Sequence, residues 1–167
     1  MQYISYKWLE EPEKYFPEPK TIVNYIKWHI ALYKKAHEIN REINHEAYKK
    51  ELVCLADIIS SPEAESLRKR DYEYISNLGY ENVARIEAAM LIGRELWYKN
   101  RNAGYSDYDE ELREYKLSDL DAWMKVFDIP PSIAAGGDNN AATEYTLSKR
   151  PDFLQTYIDS LEGSECG

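Results

Sequence analysis

Apolar residues never run for more than five in a row, as in AAMLI (Ala88–Ile92), so no segment reads as a bilayer span. The opening residues, MQYISYKWLEEPEK, lack the apolar core of a secretory signal, and a cytoplasmic location is the resulting expectation. Basic residues are short as well. The 21 Lys and Arg against 30 Asp and Glu leave a formal charge of −9. That is the wrong sign for gripping phosphate backbones, so direct nucleic-acid binding is not expected, and a basic protein partner suits the surface better. Cysteine is scarce. Cys54 falls in a strongly helical stretch and Cys166 one residue from the end, and both are expected as free thiols. Period-two alternation, internal repeats and low-complexity tracts are also missing, which argues against strands and solenoids.

What is present is helical periodicity. A chain of 167 residues with 44% apolar content has enough to build one core. Pro12, Pro17 and Pro19 make residues 1–20 an extended arm. From Thr21 to about Ile59 no Gly or Pro intervenes, and Tyr25, Trp28, Leu32, Ala36, Ile39, Ile43, Ala47, Cys54 and Ile58 recur mostly at steps of three or four. The stripe predicts one long amphipathic helix, bent or broken once at this length, and is compatible with docking within one chain or between two copies. Ser60 with Glu63 predicts a capping box for a second helix, with Pro62 in its first turn and Gly79 as its stop. The third, Glu81 to about Asn100, is the most apolar and is expected at the centre of the core. Short helices are predicted over 107–115 and 118–127, the latter capped by Ser118, and last ones over 140–148 and 151–161. IPPSIAAGGDNN is a connector, with Asp138 or Asn139 capping the helix after it. The expected fold is all-α: a compact bundle of about six to seven helices with one long N-terminal amphipathic helix. It forms a single helical domain over 21–162, followed by a flexible tail over 163–167.

HEINREINHE (His37–Glu46) crowds histidines and glutamates as a metal site does. Zincin chemistry places two histidines one helical turn apart. His37 and His45 are about 12 Å apart along a helix, too far for one ion. Glu42 and His45 have the Glu-x-x-His spacing of di-iron bundles, which require a second copy, and none occurs. Opposite charges at Glu38/Arg41, Glu42/His45 and Glu46/Lys50 describe a solvated face, with Ile39 and Ile43 on the buried side and His29 packed in the core. No metal and no cofactor is expected. AAGGDNNAA lacks the Gly-Lys-Ser/Thr of a phosphate loop, and no serine sits in a nucleophile elbow.

SDYDEELREYKLSDLDA is more informative. Asp107, Asp109, Glu110, Glu111, Glu114, Asp119 and Asp121 face only Arg113 and Lys116, a local balance of −5, and Tyr105, Tyr108 and Tyr115 interleave. Acids with tyrosines suit a basic protein partner, because tyrosine adds contact area at low entropic cost. The competing account is a solvated helix pair whose acids favour helix N-termini. The candidate partner-binding residues are Tyr105, Asp107, Tyr108, Asp109, Glu110, Glu111 and Glu114.

Two further stretches carry a resemblance. AAMLIGRE (Ala88–Glu95) matches an apolar helix ending in a Leu-Gly-Arg-Gly-Asp-like motif, and AATEYTLSKRPDFLQTYIDSLE matches a C-terminal element through Tyr145, Leu147, Pro151, Leu154, Tyr157, Ile158 and Leu161. From about Pro62 to Glu162 the chain resembles the bacterial domain of unknown function 3775 family. Glu95 and Ser148 stand where that family has glycines. The resemblance implies an α-helical bacterial or phage-related protein and carries no established activity or catalytic residue. Gly93 would permit close helix packing, and Arg94 would anchor helix ends or pair with a buried acid, with a functional arginine as the alternative.

With no convergent catalytic set, the leading expectation is a non-enzymatic helical protein that binds another protein. A sharper form is an acidic inhibitor of nucleic-acid-binding machinery, of the anti-defence or antitoxin kind. The alternative from another class is a helical metal-dependent enzyme using His37, Glu42 and His45.

Overall fold

The computed structural model describes residues 19–45, 49, 61–101, 106–129 and 151–165. Among them the chain forms six α-helices and no strand, so the fold is all-α. The helices are α1 (Ile22–Ile43), α2 (Pro62–Ser76), α3 (Tyr80–Asn100), α4 (Asp109–Glu114), α5 (Leu120–Val126) and α6 (Pro151–Glu165). The chain divides into two compact units, Met1–Lys69 and Arg70–Gly167.

In the first unit, α1 begins where the pattern places it. Thr21 is extended and its hydroxyl accepts from the Asn24 N–H at 3.1 Å, satisfying one of the free donors of the first turn. Tyr25, Trp28, Leu32, Ala36 and Ile39 are buried along one side, and His29 lies among them with its ring 6.0 Å from that of Tyr25. The helix stops at Ile43, far short of Ile59. At Asn44 both the backbone N–H (3.0 Å) and the side-chain amide (2.7 Å) donate to the Asn40 carbonyl, which caps the helix end. Ile43, expected on the buried side, is 47% exposed. Ala47, Cys54, Ile58, residues 1–18 and the predicted helix over 140–148 lie outside the described residues.

The cap of α2 is Ser61. With Pro62 as the first helical residue, the N-cap must be the residue immediately before it, and the Ser61 hydroxyl accepts from the Ala64 N–H at 3.0 Å. A box between Ser60 and Glu63 is therefore out of register. The Ser61 N–H donates to Asn40 Oδ1 at 2.9 Å, tying the start of α2 to α1.

The second unit is built on α3. Gly79 precedes it with φ +83° and ψ 161°, a region essentially reserved for glycine, so this residue opens α3 rather than closing α2. α2 ends at Ser76, where the Ser76 hydroxyl and Asn77 amide donate to the Tyr72 and Glu73 carbonyls. On α3, Val83, Ala84, Ile86, Ala88, Ala89 and Ile92 are buried, and α6 and α5 both pack against it. Trp123 of α5 and Leu154 and Tyr157 of α6 complete a core in which each large side chain contributes about 1.5–3 kcal/mol by leaving water.

α5 is capped by Asp119, not Ser118: Asp119 Oδ1 accepts from the Ala122 N–H at 3.2 Å. The shift follows from the helix starting at Leu120, two residues later than predicted. It ends in a Schellman turn. The Ile129 N–H donates to the Met124 carbonyl (2.8 Å) and the Asp128 N–H to that of Lys125 (3.1 Å), while Asp128 takes φ 54° and Ile129 is buried.

Candidate functional site

Helix α4 and the turns on either side of it carry the acidic candidates. α4 is a six-residue helix, DEELRE, none of whose residues is buried. Asp107, Glu110 and Glu114 are exposed and Glu111 is half-buried. Asp109 is held: Lys99 of α3 donates to its Oδ1 at 2.9 Å, with the carboxylate 15% exposed and the lysine 44%. Tyr108 is turned inward, its ring edge-on to Phe127 at 4.8 Å, and Tyr115 sits edge-on to Trp123 at 6.0 Å. Tyr105 lies outside the described residues. The segment thus sorts into exposed acids, one paired acid and two tyrosines whose rings contact Phe127 and Trp123.

Sequence reasoning missed the residues that fix this segment to α3. Ser106 donates to Glu95, and its oxygen accepts from the Tyr108 N–H at 2.9 Å. Arg85 donates to Asp121 at 2.8 Å and to Asn82 at 2.7 Å, and lies 3.7 Å from Glu81. Only the pairs within one helix had a spacing signal, because Lys99–Asp109 and Arg85–Asp121 join separate elements.

Gly93 and Arg94 divide in role. A Cβ on Gly93 would lie 2.6 Å from the carbonyl carbon of Phe153 and closer still to its oxygen, so α6 crosses α3 at backbone contact there. Arg94 pairs with its neighbour Glu95 at 3.1 Å, the arginine side chain 41% exposed and the glutamate 14%. Its partner is the half-buried acid that also receives Ser106.

Around the end of α3, Trp97 meets Phe153 edge-on at 5.6 Å, and the Arg101 guanidinium lies 3.8 Å above the Trp97 ring. Tyr157, in the core, donates from its hydroxyl to the Leu117 carbonyl at 3.0 Å, and burial raises its pKa from the ordinary 10 to about 12.

On α1 the ring of His37 lies parallel to that of Tyr33 at 6.2 Å, and Glu38 is 3.8 Å from Lys35. His37, Glu38, Arg41, Glu42 and His45 are all exposed. Among the described residues no group of three or more His, Cys, Asp or Glu side chains is placed to hold a metal ion, and no helix is long and apolar enough to cross a membrane. Compared with known protein families, curated proteins and solved structures, the chain matches none.

Proposed function

We propose that the chain is a non-enzymatic, cytoplasmic binding protein that takes a basic protein partner on the acidic face running from Asp107 through α4. The observation that supports this reading is the construction of α4. Four of its six residues are acids, and none of the six is fully buried, so the helix adds little to the core. It is nonetheless held in place by ring contacts and by Lys99. An acid array held on a fixed backbone presents carboxylates at set positions to Lys and Arg side chains, which lowers the ordering cost of forming interfacial charge pairs. An inhibitor whose carboxylates stand in for phosphates is the sharper form of the same reading.

The test compares wild type with a variant carrying Asp107→Ala, Glu110→Ala, Glu111→Ala and Glu114→Ala, titrated with an oligolysine peptide at low and high salt. Tyr108 is left intact because its ring braces Phe127. Wild type should bind with an affinity that falls steeply with salt. The variant should lose most of that binding while its stability changes by less than about 0.5 kcal/mol. Equal binding by the two proteins, or binding indifferent to salt, overturns the reading.

A further inference from the structure

Ser106 to Tyr115 is attached to its unit by different means at its two ends. Immediately after it, two core donors hold the backbone. Trp123 Nε1 donates to the Lys116 carbonyl and the Tyr157 hydroxyl to that of Leu117, each at 3.0 Å. Both rings are fully buried and both donors are neutral. Burial pushes the Tyr157 hydroxyl up to about 12, so it stays a donor through the ordinary pH range. At the other end the attachments are charged: Lys99 on Asp109, and Glu95 receiving Ser106. Between the ends no residue of α4 is fully buried, Glu111 and Leu112 being half-buried, and the flanking Tyr108 and Tyr115 rings lie edge-on to Phe127 and Trp123.

We infer that residues 106–115 form a strap, hinged at Lys116–Leu117 and latched at Lys99–Asp109, that opens from its latched end while α3 and α5 stay folded, and that opening uncovers the ring of Phe127. A segment with few buried contacts and exposed hydrogen bonds opens at a small fraction of the global free energy. Salt screens the latch, whereas the hinge is made of buried neutral donors and does not respond to it. The strap goes beyond the acidic-face reading and stands whether or not that face binds a partner.

Amide hydrogen exchange on the full chain tests it. The reporters are Leu112 and Tyr115, which donate to the Tyr108 and Glu111 carbonyls, read against Trp123 of α5 and its C-cap Phe127, which donate to the Asp119 and Trp123 carbonyls. Lys99→Met should speed Leu112 and Tyr115 by about two- to five-fold, the range set by a partly exposed ion pair, and leave Trp123 and Phe127 unchanged. About 1 M NaCl should do the same to wild type and add little to Lys99→Met. Lys99→Arg should keep wild-type rates. Unchanged exchange at Leu112 and Tyr115 in both Lys99→Met and high salt overturns the latch, and equal acceleration of all four amides overturns the independent strap.

Discussion

Of the helices tied to α3 in the second unit, α6 and α4 are held by opposite means. α6 crosses it at Gly93 with backbone touching backbone and brings Phe153, Leu154 and Tyr157 into the core. α4 and the turn before it are tied to α3 by side-chain ends, a lysine on the Asp109 carboxylate and Ser106 on a glutamate, and no residue of α4 is fully buried. The first seam is apolar and close, so its strength comes from burial and packing density, which salt does not weaken. The second is charged and exposed on its lysine side, so salt screens it.

The sharpest way to break the comparison is at the seam. Gly93→Ala places a methyl where the Phe153 backbone stands, so α6 must shift as a body. The expected loss is about 3 kcal/mol, read by denaturant unfolding, although alanine is the better helix former. A loss under about 1 kcal/mol would mean the close approach is not what holds α6.

Tyr157→Phe tests the hinge that lies between the two regions. It leaves the Leu117 carbonyl without its donor and should cost about 1–2 kcal/mol near neutral pH. The substitution also changes the alkaline limb. The folded state holds this proton to about 12 while the unfolded chain releases it near 10, so between those values the unfolded state binds fewer protons and stability falls as pH rises. The phenylalanine variant should show a shallower fall than wild type across that window. Identical slopes in the two proteins would show that Tyr157 is not buried in the way described.

A smaller effect sharpens the contrast from the other side. Asp128 holds the left-handed position of the α5 Schellman turn, where glycine carries no Cβ penalty. Asp128→Gly should stabilise the unit by up to about 1 kcal/mol. It should leave Leu112 and Tyr115 exchange as in wild type, because the strap opens without α5. Faster or slower strap exchange in this variant would couple the two elements.

Most of the helices were legible from spacing. The start of α1 at Thr21, the span of α3 and the Pro151 start of α6 follow from caps, apolar period and proline, all local signals. The errors were of register. Ser61 and Asp119 do the capping expected of Ser60 and Ser118, since adjacent capping residues differ only in which amide they reach. The end of α1 at Asn44 has no marker in the spacing, because it depends on the Asn44 side chain taking the Asn40 carbonyl. Within the acidic segment the charge is evident, but not that Asp109 is already paired or that the Tyr108 and Tyr115 rings lie edge-on to Phe127 and Trp123.

The residue order alone was enough to dictate an all-helical chain with a negative surface, because the apolar period and the charge count need no knowledge of what touches what. Only the tertiary structure decided which acids stand free and which are held, why position 93 must be glycine, and where the strap is pinned. Those depend on side chains many residues apart meeting in space, and no local spacing encodes such a meeting.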